Sequence, residues 1–316
     1  MSIITAPRSG VASTAGRGDP TSSRRVSRRR ARWGWLFVAP FAVFLAVFLI
    51  APLVYAFVLS LQNKTVATGT HWVGFANYAK AFTDPLFLDG VWLVVRFALI
   101  LIPIQMAVSI VAALLLDALT TRFSRFSRLM IFVPYAVPAV IGALMWGFLY
   151  SPSFGPAADI AGWFGLPAPH LLSVSNVFGS LVNVVTWQWA GYYMIIIYAA
   201  LQGVDPELYE AARIDGANAW QTALRIKIPM IYSSLVLILV FALIGTLQFF
   251  TEPQILRSLA SGSITSSYTP NIYAYTLAFS YSQFNYASAI SFALGLVVFI
   301  GSYIFLLATR KKSGLS

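Results

Sequence analysis

The chain has 316 residues, of which 59% are hydrophobic and only 10% charged, and its net charge is +11. A soluble domain of this length needs far more polar surface, so the composition predicts a polytopic membrane protein. Cysteine is absent, which excludes disulfides, thiol catalysis and cysteine-ligated metals. The two histidines, His71 and His170, have no second ligand at metal-like spacing; both are interpreted as solvated loop residues and no metal site is predicted.

Residues 1–32 are rich in Ser, Thr, Gly and Arg and predict a disordered, basic cytoplasmic tail. The stretch from Ser23 to Arg32 resembles a twin-arginine or secretory signal, but the apolar run that follows, 34–61, is too long for a signal peptide. An uncleaved first membrane helix fits better. Because most other basic residues also flank apolar runs, the charge indicates a membrane protein and no nucleic-acid partner.

Six apolar segments are long enough to cross a bilayer as helices, so the predicted fold is all-α with six transmembrane helices. They cover about 34–61, 91–116, 129–150, 176–201, 231–250 and 284–308. Several contain proline, which membrane helices tolerate when neighbouring helices satisfy the freed backbone groups.

The distribution of Lys and Arg predicts the orientation. With the N-terminus inside, seventeen basic residues lie on the cytoplasmic side, against Lys64, Lys80 and Arg257 outside. Cytoplasmic loops carry the excess of Lys and Arg, so both termini are predicted to be cytoplasmic. Arg96 falls within the second segment near its outer end and is expected to snorkel to the interface.

One polar loop, about 204–229, separates the fourth and fifth segments and holds four of the ten acidic residues. Asp205 is a predicted N-cap, Pro206 suits a first helical position, and Gly216 supplies a stop. The loop therefore predicts two short helices, the second from about Ala217 to Ile228.

The spacing within this loop resembles the EAA motif of ABC importer permeases. Glu210-Ala211-Ala212 is followed by three residues, Gly216, nine residues and Ile226-Lys227-Ile228-Pro229, with Ile228 where the family usually has leucine. The resemblance implies a coupling helix that docks on a separate ATPase, with Glu210 as ionic anchor and Gly216 as the sharp turn. Ala211 and Ala212 would form the close-packing surface; Asp215 and Pro229 complete the ATPase-coupling set.

The resemblance extends over about 33–310, which is read as one transmembrane domain followed by a short cytoplasmic tail, 311–316. The stretches 34–63, 72–87 and 284–299 are similar to carbohydrate permeases of the MalF- and UgpA-like group. That group implies an importer for a sugar or glycerol phosphate in a bacterial or archaeal cytoplasmic membrane. The implied partners are a second homologous permease, two ATPase subunits or a homodimer of one, and an external solute-binding protein.

The chain contains no G-x-x-x-x-G-K-[ST] phosphate loop, so ATP and Mg²⁺ are expected on the partner ATPase and this chain is expected to be non-catalytic. Its substrate contacts are predicted from polar and aromatic side chains at membrane depth, where they are costly. They are Asn183, Trp187, Gln188 and Tyr192 in the fourth segment, and Gln248 and Glu252 towards the outer end of the fifth. The alternative for these residues is interhelical hydrogen bonding and an interfacial aromatic belt.

Two other functional classes stay open at this point. A secondary transporter or channel usually carries membrane-embedded Asp, Glu or His, and here only Asp117 and Glu252 lie at the edges of segments. A permease for another small solute, an exporter or a structural assembly factor is the remaining alternative. No carboxylate pair or nucleophile–base constellation falls within the segments, which argues against an intramembrane enzyme.

Overall fold

The structure, a computed structural model, describes residues 35–65, 69–118, 122–153 and 155–310. The predicted tails, 1–32 and 311–316, lie outside the described residues. The chain divides into two compact units, Met1–Ala56 and Phe57–Ser316.

The first described helix, α1, spans Trp35–Ser60. It contains a π-helical turn, Ala46–Ile50, which ends two residues before Pro52. A proline has no amide hydrogen to continue the α-helical pattern, and a π-helical turn is one way in which a helix absorbs that defect.

The second unit is almost entirely helical. After α1 come the antiparallel hairpin strands β1 (Gln62–Thr65) and β2 (Gly69–Trp72), with Gln62 opposite Trp72. The helices are α2 (Ala76–Ala81), α3 (Pro85–Ala118), α4 (Arg122–Ala136), α5 (Ala139–Leu149), α6 (Pro156–Trp163), α7 (Val177–Gln202), α8 (Pro206–Ile214), α9 (Ala219–Thr222), α10 (Ile228–Met230), α11 (Tyr232–Leu247), α12 (Thr251–Leu256), α13 (Pro270–Phe279) and α14 (Phe284–Arg310). A π-helical turn, Ala223–Lys227, joins α9 to α10.

Within the described ranges, five helical spans are long and apolar enough to cross a membrane, and a bent pair makes six if it counts as one. The spans are α1, α3, α7, the α11–α12 stretch Tyr232–Leu256, and Phe284–Phe305 of α14. The predicted all-α, multi-pass fold is therefore confirmed.

The third predicted segment is not one straight helix. Ser124–Ala136 and Ala139–Leu149 meet at 97°. Pro138 caps α5 with ψ 133°, an extended conformation. A proline disfavours helical geometry in the residue before it and donates no backbone hydrogen bond, so the helix ends at Ala136. Pro134, by contrast, lies inside α4 without breaking it.

The long helix α3 runs against α7 at the centre of the second unit. At 1.5 Å per residue its length is about 50 Å. Met194 and Ile197 of α7, Ala113 of α3 and Ile238 of α11 are fully buried in one apolar cluster between these helices. We call the end of the bundle where α3 finishes the loop end, because α8 and α9 lie there, and the end where α3 begins the far end.

Candidate functional site

The loop between α7 and α11 begins with a well-formed helix start. The Asp205 carboxylate accepts a hydrogen bond from the Glu207 amide at 3.0 Å, and Pro206 occupies the first turn. A side-chain cap of this kind satisfies one of the amide groups that a helix leaves unpaired. The predicted cap is confirmed, and it fixes where α8 leaves the bundle.

Gly216 turns the chain sharply after α8. It has φ +80°, a left-handed conformation that glycine adopts without strain. The Ala217 amide bonds the Ala212 carbonyl at 2.9 Å, and the Gly216 amide bonds the Arg213 carbonyl at 3.1 Å. This is the Schellman arrangement, which closes the end of the helix.

The second helix of the loop starts later than predicted. Asn218 caps it in a reciprocal capping box with Gln221, so α9 begins at Ala219, not at Ala217. The prediction placed the start directly after Gly216 and did not give Asn218 the cap, although asparagine followed three residues later by glutamine is a typical start signal.

A cleft of about 470 Å³ lies between the two short helices. Four of the predicted coupling residues line it: Ala211, Ala212, Asp215 and Gly216. Glu210 is exposed beside the cleft, and Pro229 lies beyond it within α10. The loop thus presents a small-residue surface with a free carboxylate at its side.

The two most exposed large apolar side chains of the loop are residues that the motif did not single out. Ile214 is 87% exposed and Trp220 69% exposed, on either side of Gly216. Ile214 lies between Arg213 and Asp215, and Trp220 comes directly before Gln221, in a segment predicted to be polar and accessible. An exposed Ile and Trp there were readable as a contact surface.

A second concave feature lies near the middle of α3. This cavity of about 540 Å³ is lined by α3, α4, α7 and the α11–α12 region. Tyr135, Trp189 and Tyr192 form an aromatic wall, with the Tyr135 and Tyr192 rings stacked at 4.6 Å between centroids.

The opposite wall is a break in the fifth span. Helix α11 ends at Leu247 and α12 starts at Thr251, and the residues between them, together with Glu252, line the cavity. Irregular backbone at membrane depth is tolerated where it faces a cavity. Among the residues that the structure describes, the lining contains Gln248 and the buried Glu252 but no Lys, Arg or His.

The predicted substrate residues fall into two groups. Tyr192, Gln248 and Glu252 line this cavity. The other three, Asn183, Trp187 and Gln188, do not.

The second group makes contacts with the bent pair. Asn183 donates to the Tyr150 hydroxyl at 2.7 Å, and Gln188 donates to the Val137 carbonyl at 3.2 Å, at the break between α4 and α5. Trp187 packs edge-on against Trp146. These are interhelical contacts, the alternative considered for this set, and a role in substrate passage stays a prediction for all six residues.

Two residues of the cavity wall were missed from the sequence. Tyr135 comes from α4, and Gln105 of α3 lies at the wall with its amide donating to the Val185 carbonyl at 3.2 Å. Gln105 was detectable as an amide in the middle of an apolar span, whereas Tyr135 lies directly before a bend that the sequence did not predict.

The sequence profile of the family described as "binding-protein-dependent transport system inner membrane component" matches residues 105–311, more than half of the chain. The chain belongs to this family of membrane transport components. The predicted membership of the binding-protein-dependent importer permeases and the predicted non-catalytic transport role are confirmed.

Curated relatives match over nearly the whole chain. The lactose transport system permease protein LacF of Rhizobium radiobacter is 30% identical over 88% of this chain and 94% of its own. UgpA, the sn-glycerol-3-phosphate transport system permease protein of Salmonella typhi, is 30% identical over 89% and 94%. NgcF, a diacetylchitobiose uptake system permease protein of Streptomyces coelicolor, is 28% identical over 95% and 88%.

The fold also matches solved structures. A chain of a bacterial alginate ABC transporter in complex with an alginate pentasaccharide-bound periplasmic protein superposes with TM-score 0.80 and 20% identity, over 90% of this chain and 96% of that one. A second alginate importer structure gives TM-score 0.79 with 21% identity, over 92% and 99%. At these identities the likeness establishes the fold.

Proposed function

We propose that this chain is one membrane-spanning half of an ATP-driven importer that passes an uncharged carbohydrate through the bundle by alternating access. The observation that carries the proposal is the pairing of a formed docking loop at one end with an aromatic, amide-lined cavity at mid-span. The family membership supplies the transport role, and the names of the relatives point to sugars or sugar-like solutes.

The loop supports docking on a separate ATPase. Its two helices are held by the Asp205 cap, the Gly216 turn and the Asn218 capping box, so the surface is preorganised. Exposed Ile214 and Trp220 supply the apolar area that an interface core needs, and Glu210 supplies a charged contact at its edge. In this proposal ATP and Mg²⁺ are bound by the partner.

The cavity favours an uncharged solute over a phosphorylated one. A phosphate placed there would find Glu252 and no cationic side chain among the lining residues, and an unpaired buried charge is costly. Sugar hydroxyls can pair with the amide and hydroxyl groups of the wall, while the sugar ring lies against Tyr135, Trp189 or Tyr192. A neutral sugar is therefore favoured over glycerol phosphate.

A proton- or sodium-coupled transporter is the second candidate, and it would depend on Glu252 or Asp117. Asp117 is ion-paired with Lys227 at the loop end, far along α3 from the cavity. Glu252 remains as the one carboxylate at the cavity, but the membership of a binding-protein-dependent family favours ATP as the energy source.

The proposed assembly comprises this chain, a second permease, two ATPase subunits, alike or different, and an external binding protein. The proposed orientation places both termini and the α8–α9 loop on the cytoplasmic side. The excess of Lys and Arg at that side supports it.

The test is purification of the tagged chain from its native membrane in mild detergent, followed by mass spectrometry. We expect an ATPase and a second permease to co-purify in stable amounts. Glu210→Lys should lose the ATPase at unchanged membrane level, because it reverses the charge beside the cleft. Glu207→Lys, one turn earlier on the same helix, is the matched control and should retain it.

The solute class is tested on the co-purifying binding protein. Binding of neutral sugars supports the proposal, and binding of sugar phosphates alone contradicts it. A chain that purifies only with itself, under conditions that preserve known complexes, would favour the self-contained transporter.

A further inference from the structure

Four side chains meet where the α8–α9 loop joins the bundle, and we call them the anchor cluster: Asp117 at the end of α3, Gln202 at the end of α7, Tyr209 on α8 and Lys227 at the end of the π-helical turn. One Asp117 carboxylate oxygen accepts a hydrogen bond from the Gln202 amide at 2.7 Å. The other forms an ion pair with the Lys227 ammonium group, which lies 4.9 Å from the centre of the Tyr209 ring.

Asp117 stands in an unfavourable place for a carboxylate. The C-terminal end of a helix carries partial negative charge, so an aspartate there is destabilised unless a cation lies nearby. Lys227, reaching from the loop, supplies that cation. Both side chains are largely withdrawn from water, at 9% and 17% exposure, so neither charge is well solvated without the other.

The cluster holds both halves of the α8–α9 loop, the part before Gly216 and the part after it. Tyr209 belongs to the first loop helix and Lys227 follows the second. The Lys227 ammonium group lies over the Tyr209 ring and is also ion-paired with Asp117 of α3. Burial raises the pKa of the Tyr209 hydroxyl, and the negative charge of Asp117 raises it further, so the hydroxyl stays neutral beside the ammonium group.

Apolar packing alone would not fix the loop in one position. Val204 and Ile231 bury their side chains at the two ends of the loop, but apolar contacts are non-directional and allow sliding. A buried ion pair with an added hydrogen bond permits one geometry, because any displacement leaves a charge unpaired.

We propose that Asp117 and Lys227 are positioning residues for transport: their ion pair, oriented by Gln202 and Tyr209, makes the loop and the second span move as one body. This rests on the proposed docking of the loop on an ATPase. Motion imposed on the loop then reaches α3, which runs from the anchor cluster past the cavity wall at Gln105 and Leu101.

The test measures whether the loop and α3 keep their distance when nucleotide binds. The chain has no cysteine, so spin labels can be placed on Glu207→Cys in α8 and on the exposed Leu115→Cys in α3. The distance between them is measured by pulsed electron paramagnetic resonance in the complex with its ATPase, without nucleotide and with ATP, Mg²⁺ and vanadate.

In the parent, the chain that carries the two spin labels and no further substitution, we expect one narrow label-to-label distance. Nucleotide should not change that distance. In Asp117→Asn the distance should shift or broaden when ATP is added, because the loop moves without the span. The exchanged pair, Asp117→Lys with Lys227→Asp, should restore the narrow distance. Arg125→Met, an exposed cation at the loop end of α4, is the control and should behave as the parent.

Two results overturn the inference: an Asp117→Asn distance as insensitive to nucleotide as the parent, or an exchanged pair that behaves like Asp117→Asn. If Asp117→Asn fails to assemble, Asp117→Leu with Lys227→Met removes both charges together and leaves none buried alone, and its distances decide the question. If the parent chain binds no ATPase, the proposed function itself is wrong. Failure of the proposed function is therefore distinguishable from failure of the inference about the ion pair.

Discussion

At the scale of single residues, Asp84 joins three helices at the far end of the bundle. It precedes α3, and one of its carboxylate oxygens accepts hydrogen bonds from Tyr273 of α13 at 2.8 Å and Tyr286 of α14 at 2.7 Å. Burial alone would raise the pKa of the Asp84 carboxyl. The two tyrosine hydroxyls and the backbone amides of Leu86 and Phe87 outweigh it, so the pKa lies below its usual value.

This shift predicts a pH-dependent contribution to stability. A carboxyl with a lowered pKa in the folded state stabilises the fold above its ordinary pKa of about 4, and the contribution disappears as the pH falls through the folded-state pKa. We expect Asp84→Asn to lower the free energy of unfolding by about 1 kcal/mol at pH 7, since Asp84 is partly exposed and water screens its charge. The difference from the parent protein should shrink towards pH 3.

Thermal unfolding of the purified protein in detergent at several pH values measures this difference. Asp89→Asn is the control, because Asp89 is exposed on the first turns of the same helix. A stability gap between the parent and Asp84→Asn that is equal at pH 7 and pH 3 would show that the charge of Asp84 contributes nothing.

Single residues in the sequence predicted the helix ends of the α8–α9 loop better than they predicted which side chains line the cavity. The Asp205 cap and the Gly216 turn are local, since each depends on residues within a few positions along the chain. Asn183 and Gln188 have the right chemistry for a sugar site, but their side chains bond Tyr150, directly after α5, and Val137, at the break between α4 and α5. Which face of a membrane helix meets the cavity depends on long-range packing, which sequence spacing does not encode.

At the scale of elements, the position of the bent pair depends on close contact between α4 and α7. A Cβ atom added to Gly191 of α7 would lie 2.0 Å from the Ile131 carbonyl oxygen and 3.0 Å from the Phe132 Cα. Small residues at helix interfaces let backbones approach closely in membranes. The contact holds α4 close to α7, so that Tyr135 of α4 meets Tyr192 of α7 in the aromatic wall of the cavity.

Gly191→Ala should therefore force α4 away from α7. We expect a loss of about 1–3 kcal/mol in stability, the usual cost of overpacking a tight contact. Gly179→Ala is the matched control on the same helix, because nothing lies within 4 Å of its added Cβ, and alanine favours helix. Unfolding in detergent measures both; equal stability of the two variants would contradict the close approach.

The spans were predictable because their signal is length and hydropathy, which the bilayer imposes. The bend between α4 and α5 was not, because Pro134 and Pro138 look alike in the sequence. Pro134 lies inside α4, which continues past it to Ala136. Pro138 caps α5, whose axis makes an angle of 97° with α4. Pro138 has no amide hydrogen for the Pro134 carbonyl, which accepts from the Val137 amide at 3.2 Å, and Gln188 bonds the Val137 carbonyl at the break.

At the scale of the whole molecule, the loop end and the far end differ in charge as well as in structure. The loop end carries the anchor cluster and the basic residues Arg125, Arg128, Arg213 and Arg225. At the far end, the hairpin strand β1, which packs beside α14, carries Lys64. The proposed function requires that the loop end face the cytoplasm, where ATP is available.

Single cysteines in this cysteine-free chain test the orientation directly. We expect a membrane-impermeant maleimide to label exposed Lys64→Cys in intact spheroplasts, and to label exposed Arg213→Cys only after the membrane is permeabilised. The reason is that the loop side carries seventeen Lys and Arg residues against three on the other side, and the side richer in Lys and Arg is expected to face the cytoplasm. The reverse labelling would place the loop outside, where no ATPase could dock on it, and would reject the coupling role of Glu210 and Gly216 together with the orientation.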